Sequence, residues 1–191
     1  IMKQKFILFL TFILLLSISF FLILPYIENQ KEIKQYAFKM NSFDGEVSLN
    51  DYDGKYKIIF FGYMYCPDIC PTSLSLVANA LSVLPKEDAD LFQLIFISVD
   101  PKRDKLKDLK EYANYFHKGA IGITSNESYL KDIGAKYGAY YAKEYLKDSK
   151  INYSVAHTSF VYIMDKDGKL IHKLKHLEKS SDILDVLKNL K

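Results

Sequence analysis

A buried strand that runs into a proline-bracketed pair of cysteines is the feature that most narrows the folds open to this chain. Tyr56–Gly62 carries a continuous apolar stretch, the pattern of a strand covered on both faces. It leads through Tyr63-Met64-Tyr65 into Cys66-Pro67-Asp68-Ile69-Cys70-Pro71, which holds both cysteines of the chain. A helical pattern follows over residues 72–84, with Leu74, Val77, Leu81 and Leu84 on one face. Two thiols on a strand-to-helix turn suit either soft-metal binding or thiol–disulfide exchange.

The prolines shape that turn. Each restricts the cysteine before it toward extended backbone, so the pair is not expected to sit as successive turns on one helix face. Pro71 suits the first helical position, which places Cys70 next to the cap. A thiol at a helix N-terminus gives up its proton more readily, so thiolate is expected at Cys70. A disulfide across three intervening residues closes a very small loop and adds little stability, which argues against a purely structural bridge.

The remainder of the chain supplies a sheet and its covering helices. Residues 36–40 and 46–49 are short strand candidates around a turn, and residues 91–99 form a second buried strand ending in Asp100-Pro101-Lys102-Arg103-Asp104. Helices are expected with Leu106, Leu109, Ala113 and Phe116 inward, and with Leu130, Ile133 and Tyr137 inward. Residues 120–124 lie between them as a short strand, and Thr124 with Glu127 has capping-box spacing. Residues 138–152, rich in tyrosine and lysine, show no clean period and read as an exposed insertion. Residues 155–164 become a strand, a turn at Asp165-Lys166-Asp167-Gly168 reverses it into residues 169–174, and a last helix presents Ile183, Leu187 and Leu190. Parallel strands joined by helices and finished by an antiparallel hairpin make an α/β domain, and paired cysteines after its first central strand give it the thioredoxin-like arrangement.

Ahead of this domain lies a run without charge, residues 6–24, preceded by Lys3 and Lys5. As a helix it would be about 28 Å long at ~1.5 Å per residue, close to the ~30 Å hydrocarbon core of a bilayer. A cleaved signal has a shorter apolar region and a small-residue cleavage site, and Pro25-Tyr26-Ile27-Glu28 offers none. The expected organisation is an uncleaved transmembrane anchor over 1–25, a polar linker over 26–35 and the folded domain over 36–191. The two lysines favour a cytoplasmic N-terminus. The chain is then expected to cross the inner (cytoplasmic) membrane once, with its domain on the extracytoplasmic side, which in a bacterium is the periplasm. The net charge is only +3 with lysines spread throughout, so no nucleic-acid partner is expected.

Two thiolates are an incomplete set for a metal such as copper. His157 is the best third donor, because this fold returns the chain beside the cysteine turn at about that point. Thiolates favour Cu(I) and imidazole suits Cu(II), so two cysteines and one histidine can hold either state. A structural zinc site normally takes four protein ligands, and no fourth is evident. His172 and His176 share a four-residue spacing, but among lysines they read as solvated surface.

Phe60-Phe61-Gly62-Tyr63 before Cys66-Pro67-Asp68-Ile69-Cys70-Pro71-Thr72, then Val99-Asp100-Pro101 with Arg103-Asp104, then His157-Thr158 ahead of the Asp-x-Asp-Gly turn, resemble the SCO/SenC family. The resemblance covers residues 36–191. It implies a membrane-anchored, thioredoxin-fold copper chaperone that serves the copper-bearing subunit of cytochrome c oxidase, with an upstream copper donor or thiol reductant. By position, it implies Cys66, Cys70 and His157 as copper ligands and Asp100 as an acidic residue supporting the site. Ala156 departs from the family's frequent aspartate before the metal histidine, and Met64-Tyr65 replace a commoner Thr-His. The rival reading is a thiol–disulfide reductase acting through the redox pair Cys66 and Cys70, which keeps an acceptor's cysteines reduced and does not need His157.

Overall fold

The computed structural model describes residues 2–147, 152–175 and 179–190. It divides into two units, Ile1–Gln35 and Tyr36–Lys191. The first unit is occupied by helix α1, Met2–Tyr36, which passes without a break through Pro25 and through the polar residues expected as a linker. Its apolar side chains between Leu8 and Leu24 are exposed. Among the described residues it is the one helix long and apolar enough to cross a membrane.

The second unit opens with an antiparallel pair, β1 (Lys39–Ser42) and β2 (Gly45–Ser48), and a 3-10 turn at Leu49–Tyr52. Strand β3 (Tyr56–Gly62) then enters the middle of the domain, followed by α2 (Ile69–Val83) and a single turn, α3 (Lys86–Ala89). Strand β4 (Phe92–Ser98), α4 (Leu106–Phe116), β5 (Ile121–Ile123) and α5 (Glu127–Tyr137) complete the parallel half. A hairpin of β6 (Tyr141–Tyr145) and β7 (Tyr153–His157) follows, then β8 (Phe160–Met164), β9 (Leu170–Lys175) and α6 (Ser180–Lys188). The main sheet has the order β5-β4-β3-β8-β9. β3, β4 and β5 run parallel, and β8 and β9 are antiparallel, as the sequence pattern implies.

β3 is central because it can be buried on both sides. Ile58 to Phe61 are essentially inaccessible, and all of β4 is buried beside them. Alternation along β3 sends neighbouring phenylalanines to opposite faces. Phe60 stacks with Phe96, which in turn meets Tyr112 of α4. Phe61 packs against Tyr137 of α5 and Tyr162 of β8. Helices therefore cover both faces, and α2 also packs against α6. At the end of β3 away from the cysteines, the fully buried Lys57 donates to the Lys166 carbonyl at 2.8 Å, tying the 165–168 turn to the sheet.

Three local expectations are corrected by the structure. Helix α2 starts at Ile69, so Cys70 lies inside its first turn and Pro71 is the third helical residue, not the first. The missing amide hydrogen of Pro71 still falls among the first four that have no intrahelical acceptor, so the helix tolerates it there. Helix α5 is capped by Asn126, whose side chain accepts from the Tyr129 amide at 2.9 Å, and not by Thr124. Thr124 instead donates its hydroxyl to the Ser98 carbonyl. The insertion over 138–152 contains strand β6, paired in register with β7; residues 148–151 lie outside the described residues.

Helix α4 lies hard against the edge of the sheet at Gly122, where a Cβ would fall 2.3 Å from the Leu109 carbonyl oxygen. Gly122→Ala is expected to push α4 off β5 and cost about 1–3 kcal/mol. Urea unfolding of the detergent-solubilised chain measures this, and an unchanged midpoint would refute the tight packing.

Candidate metal centre

The end of β3 turns the chain at Tyr63 to Cys66, where the Cys66 amide donates to the Tyr63 carbonyl. The helical turn starting at Ile69 then points Cys70 back toward the strand. Gly62 makes room for it: a Cβ there would fall 2.7 Å from the Cys70 Sγ and 3.0 Å from the rings of Phe60 and Phe96. Cys70 is fully buried, and Cys66 is nearly so at 8% exposure. Both thiols are free.

His157 closes the group from the far side. It ends β7, just before β8, so the expected single strand over 155–164 is two strands in different sheets. Its Nε2 lies 3.2 Å from the Cys70 Sγ. Its Nδ1 lies 3.0 Å from the Thr158 carbonyl oxygen. A carbonyl can only accept, so Nδ1 carries a hydrogen, and Nε2 is the ring nitrogen turned toward the thiols, the orientation a metal ligand needs. The edges of Phe60 and Tyr63 flank the imidazole, with ring centroids 6.2 and 5.8 Å away. The Thr158 carbonyl thus fixes the ring where Ala156, exposed on the hairpin, offers no carboxylate.

The donor atoms of Cys66, Cys70 and His157 all lie within 4.8 Å of one another, the scale on which three donors share one ion. No other cluster of three such donors occurs among the described residues. His172 stands apart on β9, and His176 lies outside the described residues. Two thiols and an imidazole are a soft set that fits copper, and coordination would remove the thiol protons.

The two thiols differ sharply in character. A hydrogen bond from Cys70 holds the Cys66 thiol down to about 3 against the opposing effect of burial. Burial pushes the Cys70 thiol well up, reinforced by its hydrogen bond to Cys66 and by the negative charge there. The thiolate expected at Cys70 is therefore at Cys66. Depth in the core outweighs the favourable field of the helix N-terminus.

Asp100 is fully buried but does not join the donor group. One carboxylate oxygen accepts from the Arg103 Nε at 2.5 Å and the other from the Tyr153 hydroxyl at 2.7 Å. Arg103 also donates from Nη1 to the Tyr153 carbonyl at 2.8 Å and lies 3.8 Å over that ring. Asp104, at the end of the same loop, accepts from the Met64 amide at 2.9 Å and the Ser98 hydroxyl at 2.6 Å. Arg103, Asp104 and Tyr153 were not singled out for the site by the sequence. The Asp-Pro-x-Arg-Asp string was the available signal for the first two, and nothing local marked Tyr153.

A central strand, a thiol-bearing turn and a returning histidine define a thioredoxin-like domain with a two-thiol, one-imidazole centre. The fold is shared with the thioredoxin domain of a Bacteroides vulgatus thiol–disulfide oxidoreductase, at TM-score 0.55 and 19% identity over 81% of this chain and 94% of that one. The SCO1/SenC family pattern matches residues 27–191. An SCO2-like protein of Rickettsia conorii is 36% identical over 153 residues, 80% of this chain and 74% of the relative. The structure of Bradyrhizobium japonicum ScoI with copper bound matches at TM-score 0.68 and 33% identity, covering 81% of this chain and 98% of that one. The chain belongs to the SCO1/SenC family.

In the metal-free, reduced chain, iodoacetamide should label Cys66 and spare Cys70. Cys66, already thiolate throughout, should react at a rate nearly flat between about pH 5 and pH 8, whereas an ordinary thiol titrating near ~8.5 would speed up about tenfold per pH unit. Mass mapping of the adducts reads this, and first labelling at Cys70 would refute the assignment.

Proposed function

We propose that the protein is a membrane-anchored copper chaperone that holds copper through Cys66, Cys70 and His157. It passes the ion by ligand exchange to the copper-bearing subunit of cytochrome c oxidase. The observation that carries this reading is the convergence of the three donor atoms within 4.8 Å, with the His157 Nε2 turned toward the thiols. Copper-bound structures among the relatives support the choice of metal. The two thiolates hold Cu(I), and the imidazole extends the set to Cu(II). Residues 1–25 act as the single-pass anchor and 26–35 as the helical spacer. The domain lies on the periplasmic side of the inner membrane, where an upstream copper donor or thiol reductant meets it. Asp100 supports the centre from outside the donor group.

A second reading has its own observation. A low-pKa thiol beside a buried, protonated one is the asymmetry of a dithiol poised for exchange, so Cys66 and Cys70 would serve a thiol–disulfide reductase. The two roles are compatible, since an acceptor's cysteines must be reduced before they take copper.

His157→Ala separates them. It should lose tight Cu(II) binding while keeping its fold and its ability to form and reduce the Cys66–Cys70 bond. Competition titration with Cu(II) and thiol counting measure the two properties. Unchanged Cu(II) affinity would overturn the ligand assignment. Oxidase assembly restored in cells by this variant would favour the reductase.

A further inference from the structure

Resting on the copper reading above, we propose that Tyr153, Arg103 and Asp100 form a clamp that positions His157 and so sets the preference of the centre for Cu(II) over Cu(I). The donors do not share one support. Cys66 and Cys70 flank the start of α2 at the end of the main sheet, whereas His157 ends a strand that pairs only with β6 in a separate two-stranded sheet. Thr158 and Ser159 link His157 to β8, and the buried Val155 packs on the core, but among the described residues no ladder holds the far end of β7 to the sheet, so that end depends on side-chain contacts. The clamp sits at the opposite end of β7, on Tyr153, four residues and about 13 Å of strand from His157.

Its contacts close on themselves. The buried Asp100 carboxylate takes the Tyr153 hydroxyl on one oxygen and the Arg103 guanidinium on the other. Arg103 completes the ring by donating to the Tyr153 carbonyl and stacking on its face. Side chain and backbone of Tyr153 are therefore both fixed, and the planar fork of arginine suits that double duty better than a lysine would. Asp104, in the same loop, grips the Met64 amide two residues before Cys66. Residues 100–104 thus touch both the thiol turn and the imidazole strand, and gauge the gap between them.

The consequence differs between oxidation states. Cu(I) is satisfied by the two thiolates, which the clamp does not hold through Tyr153. Cu(II) needs the imidazole, so misplacing His157 is felt there. Tyr153 and Arg103 are positioning residues and touch no metal.

Tyr153→Phe removes the hydroxyl and keeps the ring; Arg103→Lys keeps the charge and removes the fork. In the full chain in detergent, each is expected to weaken Cu(II) binding about 10-fold or more, the usual effect of losing an outer partner of a metal ligand. Cu(I) affinity should change by less than about threefold, because both thiolates remain. The thiolate-to-Cu(II) absorption band should shift, a signature that loss of stability alone would not move. If His157→Ala loses Cu(II) while both clamp variants bind it unchanged with the wild-type band, the clamp is overturned and the ligand reading stands. If His157→Ala itself binds Cu(II) normally, the ligand reading falls first. Unfolding of both clamp variants, seen by circular dichroism, also overturns the proposal, since a positioning device leaves the core intact.

Discussion

Burial of β3 on both faces is the constraint from which the rest of the domain follows. A strand with no solvent face must have parallel or antiparallel neighbours on each edge and helices above and below. Here β4 and β8 supply the edges, with α2 and α4 toward the Phe60 face and α5 toward the Phe61 face. Because β3 is fixed so completely, the turn at its end is fixed too. The thiols emerge at a defined place, with Gly62 leaving space for one sulfur against the sheet.

The candidate metal centre joins two parts of unlike burial. The cysteine side grows out of the deepest strand of the core. The histidine side belongs to a hairpin whose residues are nearly all half-exposed or exposed. Between them runs the loop after β4, whose buried acids reach in both directions. The protein places its charged, hydrogen-bonded residues where two elements that do not share a ladder must hold register. That is the work hydrogen-bond networks do well when every member is directed at a partner.

Much of this was legible in the sequence because burial leaves a pattern. The apolar run of β3, the spaced leucines of α2, the inward face of α5 and the closing hairpin over Asp165 to Gly168 all announce themselves by period or turn chemistry. Cys66 and Cys70 stood out by residue type, and His157 by the path this fold takes. The β6–β7 hairpin was hidden for the converse reason: with little of it buried, its tyrosines and lysines have no face to alternate against. The protonation of the thiols was hidden as well, since the proximity of Cys70 to a helix start is local but its depth is not. The start of α2 departs from the sequence pattern because the restraint before proline is a preference, and packing of Cys70 against Gly62 overrides it. Tyr153 reaches Asp100 across 53 positions, a relation no local pattern encodes.

The distribution of the donors along the chain has a thermodynamic corollary. Cys66 and Cys70 stay neighbours in any conformation, whereas His157 is 87 positions beyond Cys70 and joins them only by folding. A denatured chain therefore keeps a chelating dithiol and competes with the native state for the same ion. Linkage makes the stabilisation by an ion depend on the ratio of its affinities for the two states, not on its affinity for the native one. On the proposed ligand set, cuprous ion held by two sulfurs would gain little from the fold and do little to enforce it. On the same set, cupric ion would shift the folding equilibrium to the extent that one imidazole tightens its grip, coupling occupancy and foldedness through a single side chain.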